Sequence, residues 1–206
     1  TCKALLLTQE VETIISETDT YISAGNYVDS IRLLENKKEI YNDDRLISKL
    51  TECCGLYSDF IINNINFAYA EGRYSDAIGA GNVALELLGD ITEAENNTES
   101  IKNIMKKIYM DWKDGYIASD DYSSAIQVLN DAISTFPNDA VLGGSRQDCI
   151  DTYIDNVIAA ANSAVADRNL ELATNICDIA YGVVGHDERL ISEYEYIDSM
   201  QPVYLD

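Results

Sequence analysis

Proline is nearly missing from this chain: Pro137 and Pro202 are the only two in 206 residues. That scarcity excludes a proline-rich linker and leaves helices free to run long. Histidine is scarcer still. His186 stands alone, which excludes a metal site built from several imidazoles and leaves any catalytic triad one candidate base. Basic residues are few, 14 against 36 acidic ones, for a net charge of -22. Such a surface repels phosphate backbones and anionic headgroups, so nucleic acid is not expected as a partner and basic protein segments are. No apolar run approaches the roughly 20 residues of a membrane span; the longest near the start, Ala4-Leu5-Leu6-Leu7, is far short of it. Five cysteines without a CxxC pair cannot all be bridged and read as core thiols, with Cys53 and Cys149 at one repeat position.

What the chain does have is a repeat. Residues 120–141 carry apolar or small side chains at Tyr122, Ala125, Ile126, Leu129, Ala132, Ile133 and Phe136, the spacing that lines one side of a helix. Pro137 stops that helix, and Asn138 with Asp139 can open another. The same pattern follows Gly25-Asn26-Tyr27, Gly72-Arg73-Tyr74 and Arg168-Asn169-Leu170, so that Tyr27, Tyr74, Tyr122 and Leu170 are 47, 48 and 48 residues apart. A second segment agrees: Asp44-Arg45-Leu46-Ile47-Ser48 returns as Glu188-Arg189-Leu190-Ile191-Ser192, a shift of 144, three periods of 48.

Residues 116–141, with Tyr116, Asp121-Tyr122, Ala125, Leu129, Ala132 and Pro137 in their places, resemble a tetratricopeptide repeat (TPR). The resemblance implies helical hairpins stacked into a right-handed superhelix, here four of them over about 8–42, 43–90, 91–138 and 139–186, with a capping helix over 187–200. That family's period is 34, so each repeat must accommodate about four further helical turns. The resemblance also implies a groove along the first helix of each hairpin that takes an extended peptide.

Within that all-α frame the sequence predicts helices over about Glu10–Ala24, Tyr27–Ile40, Asp44–Glu71, Tyr74–Leu88, Ser100–Ala118, Tyr122–Phe136, Gln147–Ala166, Leu170–Val184 and Asp187–Met200. Ile14, Ile15, Tyr21 and Ile22 of the first are expected to face inward. Residues 90–97 read as the most loop-like stretch, Thr98 as a helix cap, and Gly143-Gly144 as a break before the next helix. Gln201 to Asp206 reads as the start of an extended linker or a further domain. Thr1 is not a methionine, and the chain is expected to be part of a longer protein. The acidic, Tyr- and Asn-rich repeats and that tail are similar to anchored surface proteins of Gram-positive bacteria, which implies the outer face of a cell envelope; a cytoplasmic home is the alternative.

One constellation suggests a binding face. Aligned by the period, one column holds Asp19, Asn66, Asp114 and Asn162, all short side chains with a carbonyl oxygen. By the resemblance this column lines the inner groove, flanked by Ile15, Ile62, Met110 and Ile158 on one side and Ile22, Tyr69, Ile117 and Val165 on the other. The competing reading is a ladder that bonds neighbouring helices to one another. Ser30, Ala77, Ala125 and Ala173 form a small-residue column where paired helices cross closely. Residues 111–117 pass near a calcium-loop pattern, but Met110 and Trp112 offer no side-chain oxygen at its first and third ligand positions. Asn96-Asn97-Thr98 is a glycosylation triplet. No nucleophile–base pair, metal set or cofactor motif can be assembled. The sequence therefore predicts a non-catalytic scaffold that binds a protein or basic peptide through Asp19, Asn66, Asp114, Asn162, Tyr69 and Met110, or alternatively a spacer of a multidomain surface protein next to a carbohydrate-binding module.

Overall fold

A computed structural model of the chain describes the backbone of residues 2–205 and the side chains of residues 5–201. Among the described residues there is no strand, and helices follow one another with short turns: α1 Cys2–Ser23, α2 Tyr27–Tyr41, α3 Asp44–Ala70, α4 Tyr74–Leu88, a 3-10 turn Thr92–Ala94, α5 Glu95–Ile117, α6 Tyr122–Thr135, α7 Ala140–Ala166, α8 Leu170–Val184 and α9 Glu188–Leu205. Long and short helices alternate, and helices adjacent in sequence pack on one another. None of the described helices is long and apolar enough to cross a membrane. The chain divides between Ile108 and Tyr109 into two compact units.

Each turn from a long helix to the following short one is built the same way. Gly25, Gly72, Asp120 and Arg168 all adopt left-handed backbone, with φ of 76°, 72°, 59° and 58°. The next amide in each case donates five residues back, Asn26 to Tyr21, Arg73 to Ala68, Asp121 to Tyr116 and Asn169 to Ala164. This is a Schellman closure, which satisfies helix-end carbonyls and favours glycine at the left-handed position. The turns from short to long helices are less uniform. Asp43, Asp139 and Asp187 accept amide hydrogens from the first turn of α3, α7 and α9. At the matching position before α5 stands Ile91, which is buried instead.

In the first unit, α1, α2, α3, α4 and the first part of α5 enclose Val11, Ile31, Leu34, Leu46, Leu50, Ile65, Leu88, Ile101 and Met105. Ser30 is fully buried and its hydroxyl donates to the carbonyls of Asn26 and of Thr18 on α1. Only a small side chain fits where α2 crosses α1. In the second unit, the rest of α5 meets α6 through Tyr109, whose ring lies edge-on to Phe136 and whose hydroxyl bonds that of Thr135. Ala161, Ala164, Val165, Ala173, Cys177 and Ile197 form a core between α7, α8 and α9. Cys53, Cys54, Cys149 and Cys177 are free and buried.

Five expectations are corrected. The first helix starts at Cys2 rather than Glu10, because good helix formers precede Val11, which is itself buried. Residues 90–97 are not a loop: Ile91 and Ala94 are buried, Lys38 binds Glu93 at 2.7 Å, and α5 begins at Glu95. Thr98 is inside that helix, buried, with its hydroxyl on the Glu95 carbonyl. Gly143 and Gly144 lie within α7. Two interior glycines cost about 2 kcal/mol, which burying Leu142, about 1.5–3 kcal/mol, and the Asp139 cap, about 1 kcal/mol, together outweigh. Lastly, the backbone past Gln201 is helical to Leu205. Pro202 stands in the last turn of α9, where its missing N–H removes only one helical bond; Thr1 and Asp206 lie outside the described residues.

Candidate functional site

The Asp/Asn column is exposed at all four positions, and Ile15, Ile62, Met110 and Ile158 beside it are all half-buried. Helical periodicity dictates that pattern, since residues four apart on a long helix sit one turn from each other at the edge of its buried face. On the other flank Ile22, Tyr69 and Ile117 are half-buried and Val165 is buried.

In the first unit, Asp19 stands near the end of α1 and its carboxylate receives Lys49 of α3 at 2.6 Å. Lys49 also reaches Glu52 at 2.9 Å. Burial works to lower the Lys49 pKa, but hydrogen bonds to Asp19 and Glu52 outweigh it and hold the ammonium above its ordinary range. Asn66 lies on α3 between Ile62 and Tyr69, with its side chain in the open. Tyr69 packs its ring 5.9 Å from that of Tyr74. Lys107 of α5 lies 4.8 Å from the centre of the Tyr69 ring and donates to its hydroxyl at 3.0 Å. A cation already sits on this aromatic, a contact of about 0.5–1 kcal/mol at an exposed site.

In the second unit, Asp114 is exposed and its carboxylate takes Lys113 at 2.6 Å. The Lys113 stem is largely buried, close enough to Cys149 to offset part of the burial that pushes that thiol up. Asn162 of α7 stands near Glu193 on α9 and acts to lower the pKa of its carboxylate. Glu193 is itself buried, at 7% exposure, and its Oε1 has no partner. Burial raises the Glu193 pKa above the ordinary carboxylate range, and Asn162 only partly offsets it.

Lys49 and Glu193 hold the same place, one residue past the matching segments 44–48 and 188–192. At the first end of the column, therefore, an Asp late in one long helix pairs with a residue in the second turn of the next, and at the last end an Asn stands near the equivalent residue. Sequence reasoning named the column but missed these two partners. The signal was present, because the repeat aligns Lys49 with Glu193. A matching pair of arginines clamps the same junctions: Arg45 reaches Asp43 at 2.9 Å and Glu12 at 3.8 Å, and Arg189 reaches Asp187 at 3.1 Å and Asp151 at 2.6 Å. His186 is exposed in the connector before α9.

No protein-family model and no characterised protein matches the sequence.

Proposed function

We propose that the chain is a non-catalytic, TPR-like interaction scaffold whose four hairpins form a right-handed array and whose long helices receive a basic protein or peptide segment. The observation that carries this reading is the exposed Asp/Asn column, with half-buried apolar neighbours at every period, on a chain of net charge -22. Carbonyl oxygens at helical spacing accept hydrogen bonds from an extended backbone or a cationic side chain, and the neighbouring isoleucines and Met110 supply apolar contact. The same Schellman turn at four positions supports a repeated hairpin. Asp114 is the acceptor on which the test turns, because it is exposed and its carboxylate pairs with the adjacent Lys113. A fluorescein-labelled Lys/Arg-rich peptide should bind with an affinity that falls steeply with salt. Asp114→Ala should weaken it by about tenfold, the value of one charge-assisted hydrogen bond of about 1.5 kcal/mol. Equal affinity of variant and parent refutes the assignment.

A second reading rests on the Asp19–Lys49 ion pair, with Asn162 near Glu193 at the equivalent place, which favours a ladder that fixes the spacing of successive long helices. On that reading the array is a spacer of a multidomain cell-surface protein, and its function is reach. Asp19→Ala would then lower thermal stability while leaving every peptide affinity unchanged.

A further inference from the structure

A separate surface lies on the short helices of the first unit. Two adjoining depressions of about 390 and 250 Å³ run between α2 and α4 and share Arg32 and Leu87. Their apolar part includes Val28 on α2 and Val83 and Leu87 on α4, and Val83 is 59% exposed. Their charged wall carries Glu35, Glu86 and Asp90 against a single cation, Arg32.

The chemistry of Glu35 indicates what is missing. Lys38 serves its Oε1 at 3.1 Å but is drawn to Glu93 at 2.7 Å. The second oxygen, Oε2, is buried without any donor. A buried carboxylate oxygen lacking a partner is costly, and the rest of the Glu35 side chain is partly exposed, so a cation brought beside it by another molecule would meet charge that Lys38 only partly balances. The trough therefore offers an apolar strip one helical turn apart at Val83 and Leu87, edged by surplus negative charge. A helix with an apolar stripe and flanking cations complements both features.

We propose that the α2–α4 trough is a docking site for an amphipathic helix of a partner protein, its apolar stripe against Val28, Val83 and Leu87 and a flanking Lys or Arg on Glu35. This site is independent of the long-helix column. The test uses the whole chain and a labelled 18-residue peptide with leucines at helical spacing and lysines on both flanks, read by fluorescence anisotropy. Val83→Asp places a charge in the strip and should weaken binding at least about tenfold, and Glu35→Gln by about three- to tenfold. Val83 is exposed, so the variant keeps its fold, which circular dichroism verifies. Val141→Asp, at an exposed valine on α7 of the second unit, should leave binding unchanged. A scrambled peptide of equal composition should bind as weakly as the parent peptide does to Val83→Asp. The proposal is overturned if Val83→Asp binds like the parent, if the scrambled peptide binds equally well, or if Asp114→Ala rather than Val83→Asp removes binding, the last placing the peptide on the long helices.

Discussion

Gly81 tests how the repeat is packed. It lies mid-way along α4 and is buried, at the position held by Leu34, Leu129 and Cys177 in the other short helices. A Cβ placed there would lie 2.4 Å from the sulfur of Met105 and 2.7 Å from its Cγ. Met105, on α5, is fully buried and fills the space that a side chain occupies in the other hairpins. Two opposing effects then set the outcome of Gly81→Ala. Removing a mid-helix glycine stabilises by about 1 kcal/mol, and overpacking a close-packed interior costs about 1–3 kcal/mol. The clash wins, and the variant should lose about 0–2 kcal/mol. Gly79, on the same helix, is exposed with open space where its Cβ would go, so Gly79→Ala keeps only the propensity gain and should be stabilised by about 1 kcal/mol. Urea unfolding of both variants isolates the contact as the difference between them, about 1–3 kcal/mol. In a Met105→Ala background the clashing atoms are gone, and Gly81→Ala should become stabilising as well. If Gly81→Ala is as stabilising as Gly79→Ala in the parent, Met105 does not occupy that space and the packing argument fails.

The shared turn makes its own prediction. Asp120 holds the left-handed position that Gly25 and Gly72 hold in sister turns, at a cost of about 1–2 kcal/mol for a residue with a Cβ, so Asp120→Gly should raise the melting temperature and Gly25→Ala should lower it. Ala125 is fully buried, and Ala125→Leu should cost about 1–3 kcal/mol in denaturant unfolding; an unchanged midpoint removes the close crossing. Glu193 has its pKa raised by burial, so the folded state binds its proton more tightly than the unfolded chain does. The stabilisation from that proton is complete below the unfolded pKa and is lost as pH rises through the folded one. Glu193→Gln should therefore unfold at higher temperature than the parent at pH 7, and the gap should close on acidification; a gap independent of pH sinks this reading.

The short helices were legible almost to the residue. Tyr27, Tyr74, Tyr122 and Leu170 start them as expected, because the information is local: an apolar stripe in phase and a left-handed closure just before it. The starts of the long helices were legible at α3 but not at α1, α5 or α7. Before α5 the cap aspartate is replaced by Ile91, so the cue is packing of Ile91 and Ala94 rather than polar chemistry. Before α7 two glycines outvote the Asp139 cap by composition but not by energy. For the site, exposure followed from periodicity, whereas the partners Lys49 and Glu193 depend on how far one long helix slides along the next. That offset is a tertiary quantity that no single helix encodes.

The offset also accounts for the length of the repeat. α3 has 27 residues and α2 and α4 have 15 each, about 40 Å against about 22 Å at 1.5 Å per residue. A two-residue turn folds α2 back along the first half of α3, and its far end, Tyr27, rests on Tyr57 and Phe60 in the middle of that helix. Beyond that point α4 takes over, beginning with Tyr74 against Tyr69. One long helix thus serves two hairpins in succession, and the period must hold one long helix, one short helix and two turns. α5 behaves likewise: Met105 packs at Gly81 of α4, and four residues on Tyr109 packs at Phe136 of α6. The boundary between the compact units falls between those two contacts, at Ile108 and Tyr109, inside a continuous helix. Within each unit the part of α5 that belongs to it is covered by a short helix, α4 in the first and α6 in the second.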